Sequence, residues 1–322
     1  MTETYCPLLW NHVNLRPDNK VYPCCRFTTP LTEFTGDLDQ AIHSEQMSEL
    51  RKKSMGGVAI DGCQKCYTED QQGIISWRKF CLEKYGYVRE VDVKYLEVSF
   101  DNICNLACDG CYNERSLEWA KKNFPDAREK DLIMSTAEIS ELPRTLTDVS
   151  FLGGEPLMTS RHFKLLQGIS DISNANISYT TNGSFLFTTE QLNLLTKANN
   201  VEIIVSIDGY ADLNSKVREF SVWQDILKFL EQVAEYDFDL LIHSTIHKNN
   251  LHGVKDLFNF VVTNNYAWRV NLVTYPDHLC VKHMDKTTLS ESLVEVCELM
   301  DLNELDHTLN LTRLKNYLKL LL

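Results

Sequence analysis

Residues 101–113 read DNICNLACDGCYN, and three cysteines, Cys104, Cys108 and Cys111, stand in them at the spacing C-x3-C-x2-C. Directly before them runs YLEVSF, Tyr95–Phe100, whose branched and aromatic residues suit a strand. The cysteines therefore fall in the loop at the C-terminal end of that strand. Three thiolates can hold three irons of a four-iron, four-sulfur cluster and leave the fourth iron open, the feature that separates a catalytic metal centre from a closed structural one. Zinc is the competing reading, and a zinc site would need a fourth Cys or His close by. None follows in the next forty residues.

Beyond this loop, short apolar runs alternate with longer helical patterns. The further strands expected are Asp148–Leu152, Ile177–Thr181, Val201–Ile207, Leu240–Ile246 and Arg269–Thr274. Capping-box patterns at Ser135–Glu138, Thr188–Gln191 and Thr288–Glu291 mark helix starts, because such side chains satisfy the free N–H groups of a first turn. Ser221–Asp237 and Asn250–Asn264 carry apolar residues at helical spacing. Strands alternating with helices imply an α/β fold with a parallel sheet and right-handed crossovers, open or curled toward a barrel. Chemistry in such folds collects at the C-terminal ends of the strands.

Each of the next three strands ends in polar or glycine-rich sequence: Gly153-Gly154-Glu155-Pro156, Thr181-Asn182-Gly183 and Ser206-Ile207-Asp208-Gly209. With the cysteine triplet, these four motifs in this order resemble the radical S-adenosylmethionine (radical SAM) superfamily, over roughly Tyr95–Asp285. The resemblance implies a partial (β/α)6 TIM-like barrel of parallel strands and a [4Fe-4S] cluster on Cys104, Cys108 and Cys111. The open iron would be chelated by S-adenosylmethionine. Gly153, Gly154, Glu155 and Pro156 then resemble the segment at the methionyl amino group, Asn182 the polar cap near the ribose, and Ser206 and Asp208 a carboxylate- or ribose-contacting segment. Arg218, in LNSKVREF, resembles a nearby cation. The residue before the last cysteine is often aromatic in the family, whereas here it is Gly110, so Tyr112 is expected to stand in against the adenine. The implied chemistry is reductive cleavage to a 5′-deoxyadenosyl radical that abstracts hydrogen from a substrate.

Residues 1–90 read as a small, irregular metal-binding module. NLRPDNKVYPCCRF, 14–27, suggests a hairpin around Pro17-Asp18-Asn19 that delivers a cysteine, since Asn tolerates a positive φ. Cys6, Cys24, Cys63 and Cys66 make four ligands, which suit a zinc knuckle or an iron–sulfur cluster alike. The pattern resembles the twitch or SPASM auxiliary module of radical SAM enzymes, with Asn19 at a glycine position, but placed before the barrel. On that resemblance a second, auxiliary [4Fe-4S] cluster is expected on these four, acting as electron relay or structural support, with Cys25 as a spare neighbour of Cys24.

The whole chain of 322 residues carries eleven cysteines and a net charge of −13. That charge argues against nucleic-acid binding through phosphates, and short basic runs such as Arg51-Lys52-Lys53 read as solvated surface. No apolar stretch is long enough to span a membrane, and the polar start MTETYCPLLWN lacks a signal-peptide pattern, so a cytoplasmic location is expected. Clustered cysteines in a cytoplasmic chain bind metal or do catalysis more often than they form disulfides. Cys81, within the linker stretch Gln71–Tyr85, and Cys297 read as core. Cys280, in VTYPDHLC after the sixth strand, is a candidate hydrogen donor, and His243 in the fifth strand either reaches the cofactor or fills the barrel. The expected organisation is a module over 1–90, the barrel over 91–285 and C-terminal helices over 286–322 that cover it, Leu311–Leu322 being amphipathic. The expected function is radical modification of a peptide or protein. The alternatives are oxidation or rearrangement of a small molecule such as a sugar or nucleoside, and a non-catalytic zinc-binding interaction protein. A flavodoxin or ferredoxin is the expected reducing partner.

Overall fold

Along NISYTT, 176–181, and NVEIIVS, 200–206, apolar residues alternate with polar ones, the pattern of strands with one face under cover and the other open. The computed structural model describes residues 3–71, 73, 75–273, 276–301 and 308–322. The strands are β1 His12–Arg16, β2 Lys20–Tyr22, β3 Thr32–Glu33, β4 Tyr95–Val98, β5 Ala107–Cys108, β6 Asp148–Phe151, β7 Asn176–Thr181, β8 Asn200–Ser206, β9 Arg218–Glu219, β10 Asp239–Ile246 and β11 Ala267–Leu272. Nine of them form one sheet in the order β11-β10-β8-β7-β6-β4-β1-β2-β3, while β5 pairs with β9 apart from it.

All six expected strands are present, and β4, β6, β7, β8, β10 and β11 are parallel neighbours in chain order. Thr274, the expected end of the sixth, lies outside the described residues. The outer face holds Val149, Phe151, Ile177, Tyr179, Ile203 and Val205 in the main core, packed under helices Trp223–Ala234 and Val254–Thr263. On the inner face one register row runs Glu97, Ser150, Ser178, Glu202. In that row Glu97 is buried and accepts from Asn14 Nδ2 and the Tyr95 hydroxyl, as a carboxylate away from water requires, while Ser150, Ser178 and Glu202 are half-buried. The parallel strands make a partial barrel whose interior is polar. The outer core carries the stability: Phe229 is fully buried, and Phe229→Ala is expected to lower the unfolding free energy by about 3–5 kcal/mol, read as a shifted urea midpoint.

The N-terminal segment is less separate than expected. The hairpin forms around Pro17–Asn19, with Asn19 at φ 60 as anticipated. Its first strand, however, pairs in parallel with β4, His12 opposite Tyr95 and Asn14 opposite Glu97. The segment thus extends the barrel sheet. Val13 and Leu15 continue the apolar outer face, while His12, Asn14 and Arg16 continue the polar inner one. The Asn19 amide stitches the turn further, donating to the Phe34 carbonyl at 3.2 Å and accepting from the Ala137 amide at 2.7 Å.

Of the three expected capping boxes, one forms. Thr188 forms its capping box with Gln191. Ser135–Glu138 caps no helix; Arg161 donates instead to Ser135 Oγ and to the carbonyls of Thr136 and Ala137. Thr288 lies inside helix Lys286–Asp301, and Asp285 caps it, accepting from the Thr288 amide at 2.9 Å. Of the expected linker helix Gln71–Tyr85, Trp77–Tyr85 is helical and Gln71 ends the preceding helix Gln64–Gln71, with Gln72 and Ile74 outside the described residues. The tail forms helix Thr308–Leu321, whose Leu311, Leu314 and Leu318 join the main core. No helix among the described residues is long and apolar enough to cross a membrane.

Candidate functional site: three cysteines at the strand ends

The loop after β4 carries Cys104, and Cys108 lies in the short strand β5, bridged to Arg218 of β9. Cys111 follows one turn on, its amide donating to the Cys108 carbonyl at 3.1 Å. Burial pushes the Cys104 thiol up to about 12 and Cys108 to about 11, and raises Cys111. Bare thiols of this kind hold their protons near neutral pH, and a coordinated metal removes them outright. Arg218 stands against Cys108 and Cys104 and pairs with Asp208 at 2.8 Å. Burial works against its charge, but the sulfurs and the Asp208 carboxylate outweigh it. Its Nε is buried with no hydrogen-bond partner, a donor that an anionic ligand or cluster at this point would satisfy.

The glycines of GGEP serve the cysteine loop directly. Gly153 and Gly154 have φ of 69° and 45°. A Cβ on Gly154 would come 2.5 Å from the Ile103 carbonyl oxygen, and one on Gly153 2.2 Å from Ser99 Cβ. The sequence pointed to close approach to a ligand; what approaches is the chain bearing the cysteines. Glu155 is buried, accepting from Thr181 Oγ1 and the Asn182 amide, both at 2.7 Å, and its own amide donates to Ile103. Burial raises its carboxyl pKa against those bonds. Pro156 opens a short 3-10 turn. Asn182 Nδ2 donates to Asn105 Oδ1 at 2.9 Å and lies 3.9 Å from Cys104 Sγ. Asp208 accepts from the Thr245 amide at 2.7 Å, and Ser206 sits opposite His243 on the inner face. His243 contacts Asn271 at 2.8 Å. Tyr112 is exposed, its hydroxyl accepting from Arg115 Nε at 3.1 Å. These contacts tie the cysteine loop to the GGEP segment, Asn182, Asp208 and Arg218 at the strand ends. Cys280 is buried with Val273 and Leu279, and its thiol faces the Pro276 carbonyl instead of the barrel interior.

Some participants carried weak signals or none. Arg115 bonds Ser99 Oγ at 2.9 Å and lies in the field of Glu97 and Cys111, and nothing in CYNER marks it. Glu97, a carboxylate inside YLEVSF, was legible as an anomaly; it accepts from Asn14 Nδ2 at 2.7 Å. Asn214 and Asn250 hold the Asp208 backbone, a role visible only once the loops have folded.

The N-terminal cysteines gather as well. Cys6, Cys24 and Cys63 line one apolar cluster with Tyr5, Trp10 and Phe27. Burial raises the pKa of Cys6 and Cys24, and it raises Cys63 to about 11; the charges of neighbouring cysteines, Cys66 among them, add to this. Trp77, whose Nε1 is buried without a partner, packs with Cys6 and Cys24 against the group of Leu8, Cys81 and Tyr95. Cys25 turns elsewhere, within hydrogen-bond reach of Glu97. Cys81 is core, as read, but touches this group through Leu8 and Tyr95. Among the described residues no three His, Cys, Asp or Glu side chains converge on one metal-ion position. Cluster cysteines each bind a different iron, so they do not need such a point.

Comparison with known proteins places this geometry. The family profile described as Radical SAM superfamily matches residues 98–261. GTP 3′,8-cyclase of Synechocystis sp. is 24% identical over 238 residues, 73% of this chain and 69% of that protein. PqqA peptide cyclase of Bradyrhizobium diazoefficiens is 26% identical over 161 residues, 49% of this chain and 40% of that one. The structure of Streptococcus suis SuiB bound to precursor peptide SuiA superposes with a TM-score of 0.43 at 16% identity, over 86% of this chain and 54% of that one. The chain therefore spans about half, or less, of the last two.

Proposed function

The chain belongs to the radical SAM superfamily, and from that premise we propose that it cleaves S-adenosylmethionine reductively and abstracts hydrogen from a peptide or protein substrate. Members of this family use a [4Fe-4S] cluster and S-adenosylmethionine. Cys104, Cys108 and Cys111 are the ligands proposed here. When bound, the cluster supplies the electron that breaks the carbon–sulfur bond and yields the 5′-deoxyadenosyl radical. The residues around it bind and orient. The GGEP segment sets the loop and would meet the methionyl amino group, Asn182 and Ser206 would serve the ribose side, Arg218 and Asp208 supply paired charge, and Tyr112 would stand against the adenine. The observation that carries the reading is the meeting of three desolvated thiols with the unpartnered Arg218 Nε at the mouth of a polar barrel.

The peptide substrate is supported by the peptide cyclase relative. The GTP cyclase relative keeps a small-molecule substrate as the second reading. Label transfer separates the two: deuterium moving from a labelled peptide into 5′-deoxyadenosine supports the first, and transfer only from a labelled nucleotide or sugar overturns it.

The four N-terminal cysteines are proposed to hold an auxiliary [4Fe-4S] cluster. With four protein ligands it has no free site for substrate, which suits electron relay or structural support. Flavodoxin or ferredoxin is the proposed reductant. Because Cys24 packs with Cys6 while Cys25 turns to Glu97, Cys24→Ala is expected to lose about four irons and Cys25→Ala none. The reverse result would exchange their roles. The proposed division is a 1–90 unit and a 91–285 barrel whose strands share one sheet, followed by the 286–322 helices.

A further inference from the structure

Beside the N-terminal cysteines, two buried donors have no acceptor among the described residues. The Tyr67 hydroxyl is buried without a partner. It lies one residue past Cys66 in helix Gln64–Gln71, and the side chain it faces is the Cys63 thiol. The Trp77 indole N–H, at the start of helix Trp77–Tyr85, is likewise buried and unpartnered, in the apolar group that Cys6 and Cys24 border. A third donor is aimed at sulfur outright. Arg26 Nη1 lies 3.9 Å from Cys66 Sγ, and an ion pair with Glu69 holds it there. An unmet buried donor is costly, and a thiol is a weak acceptor. A four-iron, four-sulfur cluster brings both sulfides and thiolates to accept such bonds, whereas zinc brings thiolates alone.

We propose that Tyr67, Trp77 and Arg26 donate to the sulfurs of the auxiliary cluster and tune it to take up an electron. Donors on cluster sulfurs stabilise the added negative charge of the reduced form and so raise its reduction potential. The step is the gain of one electron from the reducing partner, with no bond formed or broken. Glu69 offsets the charge of Arg26, so the contribution of Arg26 is its N–H bond. A purely structural site has no use for such tuning. The inference rests on the auxiliary-cluster reading above, and of the two roles left open there it selects electron relay.

The test uses the reconstituted full-length chain with Cys104, Cys108 and Cys111 replaced by alanine, so that the N-terminal set alone carries the iron. Iron and zinc are counted first. The midpoint potential is then read by electron paramagnetic resonance during a dithionite titration. Tyr67→Phe and Trp77→Phe each keep an aromatic ring and lose the donor. Each is expected to lower the reduction equilibrium constant about fivefold to tenfold, a downward shift of about 40–60 mV by the one-electron factor of about 59 mV per decade. Arg26→Met should shift the midpoint in the same direction. Phe80→Leu alters the ring stacked on Trp77 at 5.2 Å but removes no donor, and should leave the midpoint in place. An unchanged midpoint in both aromatic variants, with iron retained, overturns the proposal, and so does an equal fall in Phe80→Leu. Zinc in place of iron removes the auxiliary cluster and this inference with it. Failure of the wild type to make 5′-deoxyadenosine would sink the reaction assigned above and leave the measured shifts standing.

Discussion

Replacing Cys104, Cys108 and Cys111 together by alanine is expected to abolish 5′-deoxyadenosine formation and to lower the iron content of the reconstituted protein from about eight to about four per chain. The loss should be selective, because the three residues lie together in the segment between β4 and helix Leu117–Asn123. Cys6, Cys24 and Cys63 lie against a separate apolar cluster with Tyr5, Trp10 and Phe27. The fold should persist, since the outer face that carries the core does not contain the triplet. Zinc in place of the remaining iron would make the N-terminal set a knuckle and remove the relay. Deoxyadenosine from the triple variant would end the assignment of the open cluster.

Gly154→Ala is expected to be nearly as damaging, although it removes no ligand. The added Cβ would stand 2.5 Å from the Ile103 carbonyl oxygen and 2.9 Å from that of Asp101, at a φ of +45°. Both contacts are backbone, so no side chain can swing away. The cysteine loop itself must shift, beginning one residue from Cys104. Misplacement by about 1 Å at a reacting centre can cost on the order of 100-fold in rate. Deoxyadenosine formation should fall by about that factor or more, with circular dichroism unchanged. Gly110→Ala is the control, since a Cβ there meets nothing within 4 Å. Equal loss in both variants would show that the loop tolerates no side chain for some other reason.

What the sequence disclosed follows from what is local. The cysteine triplet was legible because its ligands lie within eight residues. The six barrel strands were legible because one covered face imposes a period of two. The pairing of β1 with β4 was not, since it joins segments about eighty residues apart through a parallel register that HVNLR does not announce. The cap at Ser135 failed for a related reason: Arg161 claims that backbone from the far side of β6. Arg115 and the two asparagines behind Asp208 acquire their roles only in the folded loops. The burial of Cys280 beside Val273 and Leu279, with its thiol toward the Pro276 carbonyl, is likewise a product of the folded loop and not of VTYPDHLC.

The central claim is an open iron site on Cys104, Cys108 and Cys111 that takes S-adenosylmethionine as its remaining ligand. Electron paramagnetic resonance of the reduced, reconstituted wild type, with and without S-adenosylmethionine, tests it without any substrate. The account predicts that the cosubstrate shifts the signal of one cluster and leaves the other unchanged, with no shift in the triple alanine variant. Identical spectra with and without S-adenosylmethionine, in a protein carrying its full complement of iron, would contradict it.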